Sequence, residues 1–135
     1  MLQKAKKRFS KNKNITFLHK SYLDADFKPS SFDLITISFA TRFVPKDQEE
    51  QFAKIVYNLL KKSGIFMIVT MDTPEKKLYS ITQNLFRFPK GKNVDMDVES
   101  YLVKVFHPYL NHIKTVKLGR QIIVFQSKAI YFKKV

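Results

Sequence analysis

Phe32-Asp33-Leu34-Ile35-Thr36-Ile37-Ser38-Phe39 is the stretch on which the fold turns. It is rich in β-branched and aromatic residues and apolar on both faces in its middle, the pattern of a strand covered on both sides. A helix follows Pro45. Asp47 stands at the cap position with Glu50 three residues later, the spacing of a capping box. Phe52, Ile55, Val56, Leu59 and Leu60 then recur on one helical face. Lys61 and Lys62 suit the negative end of the helix dipole, and Gly64 supplies the stop. Ile65 to Met71 reads as a second buried strand. Strand, capped helix and strand in this order predict a right-handed crossover unit of a parallel sheet.

Upstream, Leu2, Ala5 and Phe9 lie between lysines as a short amphipathic helix, broken by the polar run Ser10 to Asn14. Ile15-Thr16-Phe17-Leu18 reads as a short strand. Downstream, Thr73-Pro74 opens a helix whose stripe is Leu78, Ile81, Leu85 and Phe88, and Pro89 to Lys92 form a loop. Asp97 leads another amphipathic helix carrying Val98, Tyr101, Leu102, Val105, Phe106 and Tyr109, with Pro108 ending its last turn. His112 to Leu118 and Gln121 to Phe132 flank Gly119-Arg120 as two strands of an antiparallel hairpin. The expected architecture is α/β: one domain over residues 1–135, a mostly parallel sheet with a C-terminal antiparallel hairpin.

Composition narrows the function classes. At 135 residues the chain can bury a real core, and with 44% hydrophobic and 27% charged residues it is globular rather than disordered. It has no cysteine, which excludes disulfides and thiolate metal sites. The longest apolar run, Ile65 to Val69, is far short of the ~20 residues of a membrane-spanning helix, and the basic start has no signal-peptide core. A cytoplasmic protein is expected. Lysine and arginine outnumber acidic residues 25 to 11, for a net charge of +14. A nucleic-acid partner is one reading of that excess. The basic residues are scattered, however, and no arginine-rich run or aromatic ribonucleoprotein motif accompanies them, so a solvated lysine surface ranks first.

Two stretches carry a family resemblance. One is Asn14 to Phe17, a spacer, and then Ser31-Phe32-Asp33-Leu34-Ile35-Thr36-Ile37-Ser38-Phe39-Ala40-Thr41-Arg42-Phe43-Val44. The other is Leu59-Leu60-Lys61-Lys62-Ser63-Gly64 with the strand after it. In order and spacing they resemble the ubiquinone/menaquinone-biosynthesis methyltransferases and, more broadly, the class I S-adenosylmethionine-dependent methyltransferases, which have a Rossmann-like fold. Met1-Leu2-Gln3-Lys4-Ala5 resembles an internal segment of that family. The likeness is good from Met1 to about Asp72 and only in outline afterwards.

The resemblance implies S-adenosylmethionine as cofactor and a small-molecule methyl acceptor, with the helices from Thr73 to Tyr109 as a substrate-side cover. It implies cofactor-binding roles for Ser21 and Tyr22 at an adenine corner and for Ser38 near the methionine part. Arg42 is the implied holder of an anionic substrate group. Ligands of open α/β sheets lie beyond the carboxyl ends of the strands, which suits these positions. No catalytic side chain is singled out, because methyl transfer asks mainly for alignment of methyl and nucleophile.

The departure from the family is an absence. Gly64, Gly91 and Gly119 are too far apart for the glycine-rich turn that lets backbone approach the cofactor. The acidic residue that would hold the ribose is missing as well. The resemblance therefore implies a partial, N-terminally incomplete domain, with both features encoded before Met1 and weak cofactor binding by this chain alone.

It also implies that two strands belong between Ile15 and Phe32. Without them, the Ile15 strand shifts to pair with the Phe32 strand, a second copy or partner chain covers that edge, or the protein aggregates, the first two being favoured. Two function classes remain: a small-molecule methyltransferase or part of one, and a non-catalytic degenerate fold kept as a basic binding module. His19, His107 and His112 lack metal-site spacing, and Asp24, Asp26 and Asp33 are explained by a loop and a strand start, so no metal is expected.

Overall fold

The computed structural model describes residues 2–24, 26–71, 97–118 and 127–135, the side chains of Arg42 and Met71 excepted. Its elements are α1 (Leu2–Arg8), β1 (Phe32–Ser38), α2 (Glu49–Leu59), β2 (Leu60–Met71), α3 (Val98–Phe106), β3 (Asn111–Leu118) and β4 (Ser127–Lys133). Short 3-10 turns at Thr41–Phe43 and Lys46–Gln48 join β1 to α2. The four strands form one sheet in the order β1-β2-β4-β3. The expected helix from Thr73, the loop at Pro89 and the hairpin turn at Gly119-Arg120 lie outside the described residues.

Strand alternation decides which side the helices cover. Ile35 stands beside Phe66, and Phe66 beside Phe132; Ile37, Ile68 and Ile130 form the next row. Phe66, Ile68, Ile130 and Phe132 are fully buried, under Phe52, Ala53 and Val56 of α2 and Leu102 and Phe106 of α3. One helical stripe from each helix thus closes on one face of the sheet. Each fully buried aromatic or aliphatic side chain contributes about 1.5–3 kcal/mol.

The α/β class and the antiparallel pairing of the two terminal strands are as expected. Within the described residues the sheet is mixed. β1 and β2 are parallel, whereas β2–β4 and β3–β4 are antiparallel. The expected strand at Ile15 to Leu18 does not form: the segment has no strand partner, and Ile15 and Leu18 are 36% and 51% exposed. It does not shift to the edge of β1 either. Four residues without a hydrogen-bonded neighbour cannot offset the entropy of ordering them as a strand.

Both ends of α2 differ from the sequence expectation. No capping box forms, because the chain enters α2 through the 3-10 turn, where the Gln48 amide already bonds to the Pro45 carbonyl at 2.9 Å. Glu50 instead meets Lys54 at 2.8 Å and accepts from the Tyr109 hydroxyl at 3.1 Å. The helix stops at Leu59, so Lys61 and Lys62 lie in β2. Gly64 is not the stop. A Cβ there would lie 2.9 Å from the Lys61 carbonyl oxygen and 3.2 Å from that of Phe32, so glycine permits the close approach of β2 to β1. The cation at the helix end comes from the far end of the chain. Lys134 Nζ donates to the carbonyls of Tyr57 at 2.7 Å and Leu60 at 2.8 Å, and lies 4.2 Å from the centre of the Tyr57 ring.

The opposite end of the sheet is tied to α3 by Glu99. Asp97 caps that helix as expected, accepting from the Glu99 and Ser100 amides. Glu99 accepts from Thr115 of β3 at 2.6 Å and from the nearly buried Lys128 of β4 at 3.2 Å.

Two outcomes follow from these ties. Lys134→Met should lower unfolding free energy by about 1–2 kcal/mol, since it leaves helix-end carbonyls without their charged donor; urea denaturation measures it. Glu99 is held below the ordinary carboxylate pKa, first by the Thr115 hydroxyl and then by Lys128. Its folded pKa is depressed, so its contribution is full above the unfolded value of about 4.3 and is lost as pH falls through the lower folded value. Glu99→Gln should therefore flatten the acid limb of a stability-against-pH curve while leaving its shape above pH ~5 unchanged.

Candidate ligand cleft at the carboxyl ends of the strands

The chain leaves β1 through a strained residue. Phe39 has φ 54°, a left-handed conformation uncommon for an aromatic side chain, and its amide bonds to the Val69 carbonyl of β2 at 2.8 Å. That turn carries Ala40 and the Thr41–Phe43 3-10 turn across the carboxyl end of the parallel pair. There a cleft of about 310 Å³ opens between the turn, the start of α2, the end of β2 and α3. Its walls are apolar, with Val44, Phe52, Val98, Leu102, Val105 and Phe106. Thr41, Lys46, Glu49, Thr70 and Tyr101 bring the polar groups.

Glu49 and Tyr101 organise that polar set. The Tyr101 hydroxyl donates to the Glu49 carboxylate, linking the first turn of α2 to α3 across the cleft. Burial, and then the Glu49 bond and charge, push the Tyr101 phenol up to about 12. At neutral pH it is a neutral donor, and a proton on it is not readily lost. The cleft thus offers an apolar bed with one carboxylate, hydroxyls and a lysine. Such a lining fits a largely apolar ligand carrying a polar group.

The residues singled out from sequence fall around this region unevenly. Ser38 ends β1, exposed, immediately before the Phe39 turn. Arg42 belongs to the Thr41–Phe43 turn, flanked by two cleft-side positions, Thr41 and Val44. Ser21 is exposed, and its hydroxyl accepts from the Leu23 amide at 3.3 Å. Tyr22 is turned to structural use: its ring meets Phe52 edge-on at 5.0 Å, and its hydroxyl donates to Gln48 at 3.2 Å. No hydrogen bond among the described residues joins Ser21 or Tyr22 to Ser38.

Glu49 was missed from sequence. Its only local signal was an acid in the first turn of a helix, which the dipole explains. Tyr101 was read as part of the apolar stripe, and the stripe does face the cleft. Among the described residues no group of histidine and acidic side chains could hold a metal ion. No described helix is long and apolar enough to cross a membrane.

With this geometry in view, comparison with known proteins gives a consistent picture. Residues 1–64 match the family model described as a methyltransferase domain. Over 92 residues the chain is 30% identical to the ubiquinone/menaquinone biosynthesis C-methyltransferase of Pseudoalteromonas translucida, an alignment covering 65% of this chain and 36% of that protein. The chain therefore spans about a third of the length of this curated relative.

Among solved structures, a SAM-dependent methyltransferase from Aquifex aeolicus superposes with a TM-score of 0.70 at 12% identity, covering 99% of this chain and 63% of that one. The N-methyltransferase NodS from Bradyrhizobium japonicum WM9, in complex with S-adenosyl-L-homocysteine, gives 0.68 at 13% identity, covering 98% and 60%. At such identities the superpositions establish the fold alone. Residues 1–64 are thus similar in sequence to methyltransferase domains, and the chain shares the fold of solved S-adenosylmethionine-dependent methyltransferases.

Removing the Tyr101 hydroxyl tests the cleft's internal tie. Tyr101→Phe should destabilise the fold by about 1 kcal/mol, because a carboxylate loses a donor at a partly exposed site. Glu49→Gln should cost less, since an amide oxygen still accepts the same bond. Equal stability of Tyr101→Phe and wild type in urea denaturation would count against the tie.

Proposed function

We propose that the chain is the acceptor-side part of an S-adenosylmethionine-dependent methyltransferase and that its methyl acceptor is a small molecule seated in the Glu49–Tyr101 cleft. The observation that carries this reading is the position of the cleft, at the carboxyl ends of the parallel strands β1 and β2, the first of which ends at Ser38. Ligands of open α/β sheets bind on that side. In this reading Ser38 touches the methionine part of the cofactor, and Ser21 and Tyr22 border its adenine. Arg42, in the turn that rims the cleft, meets an anionic group of the acceptor. The apolar walls exclude water from the reacting pair, and Glu49, Lys46 and the Tyr101 hydroxyl orient the acceptor. The cofactor supplies the electrophilic methyl group when bound; the chain's own residues bind and align. A cytoplasmic location goes with the reading.

The sequence holds only three separated glycines and so provides no glycine-rich cofactor turn of its own. We therefore assign full cofactor affinity to a methyltransferase domain in which such a turn is supplied. This same feature favours the second reading, a degenerate methyltransferase fold that binds without transferring methyl groups.

Calorimetric titration with S-adenosylhomocysteine separates the two. The chain alone should bind more weakly than about 1 mM, whereas the chain joined to the glycine-turn half of a related domain should bind at least about tenfold more tightly. Ser38→Leu in the joined protein should then weaken binding markedly. Equal, weak titrations for both forms would favour the non-catalytic module.

A further inference from the structure

The cleft is walled by elements that this chain itself supplies: the Thr41–Phe43 turn, the start of α2, the end of β2 and α3. Among the described residues its one acidic lining side chain is Glu49. Acids are scarce in this chain, 11 against 25 lysines and arginines, and several have found a cation. Asp33 meets Lys61 at 2.8 Å, Glu50 meets Lys54 at 2.8 Å, and Glu99 meets Lys128 at 3.2 Å. Glu49 has not. No described cation lies within ion-pair distance of its carboxylate, whose described partner is the Tyr101 hydroxyl. Lys46, also in the lining, is exposed and does not pair with it.

That arrangement leaves the carboxylate under-used. Two carboxylate oxygens offer about four acceptor sites, and Tyr101 has one proton to give. With its phenol pushed up to about 12, Tyr101 remains a neutral donor and cancels no charge. A negative charge beside apolar walls attracts a cation more strongly than it would in open water, and repels an anion as strongly. Phe52, Phe106 and Tyr101 share the lining, and the faces of aromatic rings also attract cations rather than anions.

We propose that the ligand of this cleft is an amine with an apolar body, its ammonium group held by Glu49 and its body against Val98, Leu102 and Val105. As a substrate class this rests on the methyltransferase reading above, and the anionic group which that reading assigns to Arg42 is a second handle on the same molecule. The chemistry balances with the groups present. The ammonium passes one proton to the Glu49 carboxylate, and the neutral nitrogen forms the bond to the methyl group. The methyl–sulfur bond breaks with its electron pair left on sulfur, and Glu49 returns its proton to water.

Three probes of one shape and different charge test the proposal on the chain alone, without cofactor: phenethylamine, phenethyl alcohol and hydrocinnamate, titrated by ligand-observed nuclear magnetic resonance. The net charge of +14 favours the carboxylate at long range, so a preference for the amine can come only from the cleft. Phenethylamine should bind at least about tenfold more tightly than either analogue. Glu49→Gln, folded by circular dichroism, should lose that preference while its affinity for the alcohol stays unchanged. Should that variant fail to fold, the order of the three probes on wild type decides. Hydrocinnamate or the alcohol binding as tightly as the amine overturns the proposal, as does no binding of any probe or an amine preference that survives in folded Glu49→Gln. Amine binding without methyl transfer in the joined protein would instead refute the methyltransferase reading and leave the amine site standing.

Discussion

Four phenylalanines hold the rest of the structure in place. Phe66 and Phe132 project from adjacent strands, and Phe52 and Phe106 descend from α2 and α3 to meet them. Phe106 lies 5.0 Å from Phe66 and 5.3 Å from Phe132, and Phe52 lies 6.1 Å from Phe106. Contacts at these separations, tilted or edge-on, add to the gain from burying the rings themselves. They force both helices onto one face of the sheet. The cleft exists because α2 and α3 converge there, and its lining includes Phe52 and Phe106, two of the same rings. Core and candidate site are therefore one construction.

The polar ties lie at the margins of that cluster and each joins elements distant in sequence. Lys134 closes the end of α2, Glu99 binds α3 to β3 and β4, and Tyr101 binds α3 to α2. No described buried side-chain nitrogen or oxygen is left without a partner. Lys128 is the sharpest instance: a lysine almost wholly removed from water stays tolerable because Glu99 reaches it. The basic surface is thus not uniform. A few lysines are structural, while those of α1 surround a helix with no buried residue.

The two sides of β1 differ. On its inner side Ile35 and Ile37 pack against the core and the backbone pairs with β2. On its outer side the same strand has no described neighbour. Stability supplied by the Phe cluster does not reach that edge, because hydrophobic burial is a property of the faces and pairing a property of the rim.

What the sequence determined by itself were the periodic parts. The run Leu34 to Ile37, β-branched from Ile35 onward, the stripe Phe52–Val56–Leu59 and the cap at Asp97 were legible because each depends on neighbours two to four residues away, and the antiparallel terminal strands because the connection between them is short. Ser38 and Arg42 were singled out through the family resemblance, the one at the end of a recognisable strand and the other just past it. What only the tertiary structure decided were the long-range substitutions. Lys134 took the role that Lys61 and Lys62 were expected to fill, Gly64 served a close strand approach, and Ile15 to Leu18 found no strand to join. Glu49 became half of a site only when α3 brought Tyr101 to it, 52 residues further along the chain. Local pattern records what a segment can form; which charge meets which carbonyl depends on where packing brings remote segments together, and that is written in no local stretch of sequence.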